Sequence, residues 1–464
     1  MAESLPENRP ENRPENRPEN RPEKIRRPLV VQKYGGMSLA SAEHIKSAAR
    51  RVAHLRASGK NVIAVVSAMG ATTDSLIELA YSVSSKPNRR ELDMLLSTGE
   101  RVSMALFSMA LSDALMELVP GAKAISFTGS QAGILTDETH SNARIVDVKS
   151  TRVQHELDCG NVVILAGFQG VSPKTKEITT LGRGGTDVTA VAFAAAFQAD
   201  HCEILKEVPG ILSADPKLVP NARPIRHLTH QQLLDMTFWG AKVLHYRSVE
   251  LAATHGVRLA VGLAHSKDNL SGITWITSTN DDANESAKLD AEAEATTGET
   301  KVTSKEAMSV ATFENEKILA ITSHADVRFC RIKASSIGEG LNVFNEILAR
   351  QTLPLPQVLD ISFENSQINI LMTSSAEVLE ALVHALKSSP PTKNAVSIDP
   401  EKVSTVTVTC QGGSTTALVA RLLENLEKKN IRPRKVFVGA LSISFVVPEF
   451  QRAESVLQLH NYSA

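Results

Sequence analysis

Four short apolar runs frame the first half of the chain: PLVVQKYGG, KNVIAVVSAMG, NVVILAGFQG and HCEILKEVPG. Each is rich in β-branched residues and closes on a glycine turn. Runs that are apolar throughout, with helical stretches between them, predict parallel strands covered on both faces. Ligands of open α/β sheets bind at the carboxyl ends of such strands. KYGG, VSAMG, GFQG and EVPG therefore fall on the functional edge of one sheet, in a pattern that continues to about Thr277. The stretch VTAVAFAAAF has almost no polar face, which predicts a helix inside the core. Its start, Gly184-Gly185-Thr186-Asp187, is polar. Two readings stand there: an anion site made of free backbone N–H groups and the helix dipole, or an ordinary cap by Thr186 or Asp187.

Beyond Thr277 the pattern changes twice. Residues 278–305 are small, polar and acidic, as in a linker. Two further units follow at 306–390 and 391–464, each reading strand–helix–strand–strand, with part of the pair allowed to interleave. At the other end, residues 1–26 contain the repeat PENRPENRPENRPENR. Proline at every fourth position excludes a helix and nothing apolar is available to bury, so a disordered tail is expected.

Charge and composition narrow the function classes. The 464 residues carry 50 Lys and Arg against 51 Asp and Glu, a formal net charge of −1, which argues against broad affinity for nucleic acid or membranes. No apolar run reaches the roughly 18 residues that span a bilayer, and the start of the chain lacks a secretory signal. Cys159, Cys202, Cys330 and Cys410 are dispersed without metal spacing, consistent with reduced, buried thiols in a cytoplasmic protein.

Several residues carry candidate chemistry. Lys33-Tyr34-Gly35-Gly36 places a lysine and close-approach glycines at a strand end, which suits a phosphate, although a glycine turn with a solvated lysine reads equally well. No Walker A loop occurs. Ser67 and Thr73 offer hydroxyls beside the second glycine turn, or simply a turn and cap. Glu100 lies in a long helical stretch, and with Arg183 it could hold the ammonium and carboxylate of an amino acid. Alone, Glu100 would read as a solvated helix glutamate.

The order of the segments KYGGMS, VVSAMGATTDSL, LLSTGE, LAGFQG, TTLGRGGTD, VPGILSADPKLVP and GAKVLHYRSVE resembles the aspartokinase family of amino-acid kinases. The likeness is strong over about 28–277 and weaker over the end units, which look like that family's paired ACT domains. It implies a three-layer α/β/α amino-acid-kinase sandwich with a mainly parallel sheet at 27–277, followed by two ACT-like α+β domains. The implied activity is transfer of the γ-phosphoryl of MgATP to the β-carboxylate of aspartate, giving 4-phospho-L-aspartate, the first step toward lysine, threonine and methionine. By resemblance, Lys33 stabilises the transferring phosphoryl and Asp187 organises that lysine. Gly35, Gly36 and Gly185 admit the phosphates, with Ser38 beside them. Ser67, Thr73, Glu100, Phe168, Arg183 and Thr186 surround the aspartate. Mg2+ arrives with ATP rather than in a metal site of the chain.

Departures gather on the nucleotide side. Lys206 and Glu207 replace a hydroxyl residue and an aspartate; Leu212 replaces a tyrosine, and Lys217 an arginine. Met37 takes the place of a threonine and Tyr246 that of a proline, while Lys242 is retained. A working kinase with altered nucleotide affinity is expected; the alternative is a degenerate paralogue acting as an amino-acid sensor. Carbamate or acetylglutamate kinase chemistry fits less well, given Glu100, Arg183 and the ACT-like units. The resemblance further implies a homodimer or larger homo-oligomer through the ACT units, with an amino-acid effector at their interface. The stretch QTLPLPQVLDI departs from the family there. No dehydrogenase segment follows the second unit, so a monofunctional chain is expected.

Overall fold

A computed structural model describes residues 27–265, 272–278, 317–350, 356–374, 378–380, 382–384 and 396–463. The repeat tail, residues 279–316 of the acidic linker region and residues 351–355 of the proline-bearing stretch lie outside the described residues. In chain order the first part contains β1 (Leu29–Tyr34), α1 (Ala42–Ala57), β2 (Asn61–Val66), α2 (Thr72–Val83) and α3 (Arg89–Leu118). It continues with β3 (Ala124–Phe127), β4 (Ile134–Thr136), β5 (Ile145–Val148), α4 (Thr151–Asp158), β6 (Val162–Ala166), β7 (Gln169–Val171) and β8 (Ile178–Thr180). Then follow α5 (Gly185–Ala196), β9 (His201–Lys206), β10 (Ile211–Leu212), β11 (Pro224–Ile225), β12 (His227–Thr229), α6 (His230–Phe238), α7 (Tyr246–His255), β13 (Leu259–Leu263) and β14 (Thr274–Thr277).

The strands order as β12-β14-β13-β9-β1-β2-β6-β3, and every neighbouring pair is parallel except β13–β14. Alternation along each strand divides the core into two layers. Ile63 and Val65 of β2 belong to the layer that includes α4 to α7, while Val62, Ala64 and Val66 belong to the layer of α1 and α3. This is the expected three-layer sandwich. The four glycine turns stand together at its carboxyl edge.

One buried polar group interrupts the α1 face. The same alternation that turns Val31 and Lys33 toward α5 turns Gln32 and Tyr34 toward α1. Opposite them on β9, Glu203 is 6% exposed. Its carboxylate accepts from Gln32 Nε2 at 2.8 Å and from Arg51 Nη2 at 3.1 Å, with His201 Nε2 at 3.2 Å. Burial alone would raise the Glu203 pKa, but His201, Arg51 and Gln32 outweigh it and hold the group down at about 2.

The end of the chain forms a second sheet from β15 (Lys317–Lys333), β16 (Gln357–Glu364), β17 (Gln367–Thr373), β18 (Val396–Ile398), β19 (Val403–Gln411), β20 (Lys435–Val438) and β21 (Ser442–Pro448). Its helices include α8 (Ile337–Arg350), α9 (Thr416–Glu427) and α10 (Arg452–Ser463). Strand β15 begins with the run KILAITS. It runs for 17 residues through a bulge between His324 and Val327, where Asp326 has a φ of 56°. The first half of β15 pairs with β19 and the second half with β17 and β18. The pairing thus runs across the division at residue 390.

Candidate active site

Lys33 and Asp187 meet at the carboxyl edge, Nζ to Oδ1 at 2.7 Å, with both side chains less than a tenth exposed. Strand register explains the meeting. Lys33 pairs with Ile204 in adjacent parallel strands, so Lys33, Ile204 and Lys206 point to the same face. That face packs against α5, whose first turn carries Asp187. The cap of α5 is Gly184, in the left-handed region at φ 74°, and no side chain caps the helix. Thr186 and Asp187 lie inside the helix rather than capping it, which corrects that reading. Their side chains are thereby released to face the site.

The neighbouring turns complete a polar hollow. At Gly36 the backbones approach closely: a Cβ there would stand 2.8 Å from the Ala68 carbonyl oxygen, and the Gly70 N–H donates to the Gly36 carbonyl at 2.8 Å. Gly35 faces the Lys33 ammonium, its absent Cβ falling 3.6 Å from Nζ. Ser38 is buried and donates to Glu207 at 2.7 Å. Thr186 Oγ1 stands 3.4 Å from Ser67 Oγ. Phe168 adopts a φ of 67° and packs against Gly185.

Glu100 proves to be no solvated glutamate. It is 2% exposed; Oε1 accepts from the Ala68 N–H at 3.1 Å, and Oε2 is buried with no hydrogen-bond partner. Burial pushes its pKa up to about 7 against the pull of the Ala68 N–H. A buried carboxylate oxygen left open is an acceptor waiting for a cation. Arg183 is exposed on the turn before α5, and Thr73 is half-buried in the first turn of α2.

The residues expected on the nucleotide side are more dispersed. Lys206 donates to the Val243 carbonyl, Glu207 and Lys242 are exposed, Leu212 pairs with Pro224 in the β10–β11 ribbon, and Lys217 is exposed in a turn capped by Asp215. Met37 is 60% exposed. Among the cysteines, Cys202, Cys330 and Cys410 are buried, but Cys159 is exposed with its Sγ 3.8 Å from His155 Nε2. Its place at the end of α4 corrects the expectation that all four are buried.

Asp93 has no counterpart in the sequence reading. Two turns before Glu100 on α3 and 0% exposed, it accepts from Thr180 Oγ1 at 2.6 Å and from the Ser141 N–H at 3.0 Å, with His140 Nδ1 at 2.7 Å. It ties the loop after β4 and the end of β8 to α3, immediately before the turn that carries Arg183. Its spacing of seven from Glu100, on one helix face, was the available signal.

Residues 28–262 match the amino acid kinase family model. Aspartokinase of Corynebacterium glutamicum is 52% identical over 240 residues, 52% of this chain and 56% of that protein. Aspartokinase of Mycobacterium tuberculosis strain H37Rv is 53% identical over 238 residues, 51% of this chain and 55% of that protein. These matches span about half the length of each relative. The aspartokinase of Bacillus sp. strain MGA3 is 33% identical over 439 residues, 93% of this chain and 96% of its own length. Escherichia coli aspartokinase III, solved with aspartate and ADP, shares the fold at a TM-score of 0.69 and 21% identity, covering 93% of this chain and 99% of that one. The chain belongs to the amino acid kinase family, in its aspartokinase branch.

Proposed function

We propose that the chain transfers the γ-phosphoryl group of ATP to the β-carboxylate of L-aspartate. The observation that carries this reading is the Lys33–Asp187 pair at the uncapped start of a buried helix, with the open Glu100 carboxylate in the same edge of the sheet. Phosphoryl transfer asks for positioning and charge neutralisation more than covalent chemistry. The Pγ–O bond to the β-phosphate breaks, a bond from Pγ to the carboxylate oxygen forms, and ADP leaves with the electron pair. Lys33 neutralises charge on the moving group, and Asp187 fixes that ammonium. The turn at Gly35 and Gly36 would admit the phosphate oxygens, and Gly185, whose own N–H donates to the Gly182 carbonyl at 2.9 Å, leaves room for them at the start of α5. Ser38, Lys206, Glu207, Leu212, Lys217 and Lys242 form the nucleotide side. Ser67, Thr73, Phe168, Arg183 and Thr186 line the aspartate side, with Arg183 on the α-carboxylate and Glu100 Oε2 on the ammonium.

The donor set fits Mg2+ brought in on the nucleotide, which takes one or two carboxylates plus phosphate oxygens. Asp187 offers such a carboxylate, and no group of three His, Cys, Asp or Glu side chains suited to a metal occurs among the described residues. Bound with ATP, the ion would neutralise phosphate charge. No described helix is long and apolar enough to cross a membrane, and the reading includes a cytoplasmic protein. It also includes a homo-oligomer joined through the end units, with an amino-acid effector between them.

The role given to Glu100 makes aspartate binding pH-dependent. With its own pKa near 7, Glu100 must lose a proton to pair with the ammonium, so affinity should rise from pH 6 to 8. Glu100→Gln should flatten that rise and weaken binding by about tenfold or more. Calorimetry in buffers of different ionisation enthalpy reads both affinity and the released proton. The unliganded protein behaves oppositely: a carboxyl raised from 4.5 to about 7 costs stability as pH climbs through that window. The test of the reaction itself is ADP release from MgATP by purified protein, with and without aspartate. Release that ignores aspartate would end this reading.

A further inference from the structure

The segment from Phe238 to His245 begins on one sheet and ends at the other. The Phe238 carbonyl lies 2.8 Å from His324 Nε2 of β15 and accepts from Gln357 Nε2 of β16 at 3.0 Å. Trp239, 8% exposed, enters the apolar cluster of Val327, Leu371, Val403 and Val446 on the second sheet and stacks on Phe437 at 5.9 Å. At Gly240 the φ is 106° and an added Cβ would stand 2.5 Å from the Ser323 carbonyl oxygen, so the backbone lies directly on β15. Three residues later the Val243 carbonyl receives the Lys206 ammonium. His245 then packs where a Cβ on Gly184 would collide with it, against the cap of the helix that carries Asp187. The other flank of the nucleotide side is seated similarly. Ala214 and Val219 join the cluster of Ile321, Val406 and Val408, and the Ile321 N–H donates to the Ser213 carbonyl at 2.7 Å.

Lysine is a flexible point charge with four rotatable bonds, so Lys206 needs an external anchor to hold one position. It shares a sheet face with Lys33, which repels it, while Asp187 and the exposed Glu207 next in the chain attract it and offer competing partners. The Val243 carbonyl supplies that anchor. We propose that Trp239 is a positioning residue: by seating the 238–245 strap on the second sheet, it sets where the Val243 carbonyl holds Lys206 for the nucleotide phosphates. The end units thereby fix nucleotide affinity through a backbone carbonyl. The inference rests on the kinase reading, because it takes the ligand beside Lys206 to be the nucleotide.

The test is a double-mutant cycle on the full chain with Trp239→Leu, Lys206→Met and the pair, reading MgADP affinity by calorimetry and the KM values for ATP and aspartate. Trp239→Leu should weaken MgADP and raise the KM for ATP about tenfold while leaving the KM for aspartate within about twofold. Trp239→Phe should restore most of the loss. In the Lys206→Met background, Trp239→Leu should add less than about twofold. Equal losses in both backgrounds, or unchanged nucleotide affinity in a folded Trp239→Leu protein, would overturn the proposal. Should Trp239→Leu not fold, His324→Ala with Gln357→Ala removes both side-chain partners of the Phe238 carbonyl, spares the apolar cluster, and is read against the same thresholds. A wild-type chain that binds no MgADP would overturn the kinase reading and this one with it; binding that Trp239→Leu leaves intact would overturn this one alone.

Discussion

Lys33→Met should lower turnover by about a thousandfold and Asp187→Asn by about a hundredfold, with aspartate affinity nearly unchanged in both. The ranking follows from what each variant leaves behind. Lys33→Met removes the cation and strands a carboxylate, less than a tenth exposed, where phosphate oxygens arrive, so ground state and transition state both meet repulsion. Asp187→Asn keeps the cation and the side-chain volume but loosens the ammonium, and positioning is most of what phosphoryl transfer needs. Neither residue is assigned to the aspartate pocket, so the loss should fall on kcat and, for Lys33→Met, also on the KM for ATP, and not on aspartate affinity. Steady-state kinetics beside aspartate calorimetry separates the two. If Asp187→Asn kept turnover within a few-fold of wild type, the carboxylate would not organise the reacting group.

The largest stability effect should come from Glu203, on the face of β9 that points away from the site. Removing one member of a buried charged network strands the others, typically at a cost of about 3–5 kcal/mol. Glu203→Leu would leave Arg51 and Gln32 without their shared carboxylate. A drop of roughly 10 °C in Tm is the expected result. The same group sets an acid limit. Its pKa is about 2 in the fold against 4.5 unfolded, so its contribution, on the order of 3 kcal/mol, is complete above pH 4.5 and is lost as pH falls toward 2. Thermal unfolding of both proteins between pH 7 and pH 3 checks the sign: the gap between them should narrow as the solution is acidified. A gap that widened would show that the carboxylate is not held ionised.

Apolar patterning carried the α/β part of the fold and the position of its functional edge. β2 reads as strand in six consecutive residues, and its alternation already divides Val62 from Ile63 between two layers. The burial of α5 was equally legible, because VTAVAFAAAF has no polar face to expose. Pairings between distant residues were not legible from pattern alone. Gln32 and Glu203 are 171 residues apart, and a single polar residue within an apolar strand does not state its partner. Motif order supplied what pattern could not, bringing Lys33 and Asp187 into one site across 154 positions of chain. Pattern alone left the start of α5 open between a cap and an anion site, because Thr and Asp have strong capping preferences; the left-handed Gly184 takes the cap position instead. The length of strand β15 was not legible, because His324, Ala325 and Asp326 interrupt its apolar pattern; a bulge absorbs them and the strand continues. For Trp239, nothing local announces that the core it enters belongs to the other sheet.

The shared strand β15 has a consequence for anyone cutting or recombining the chain. Its first half completes one lobe and its second half the other, so a fragment that stops near residue 390 would keep Lys317–His324 while discarding the β19 partner of that segment. An unpaired row of N–H and C=O groups on an apolar strand recruits other chains. Such a fragment should aggregate, whereas a graft carrying 317–463 as one block leaves each rung of that ladder paired. In this chain the unit of exchange is the pair of lobes, and a breakpoint placed between them by sequence divides a single ribbon.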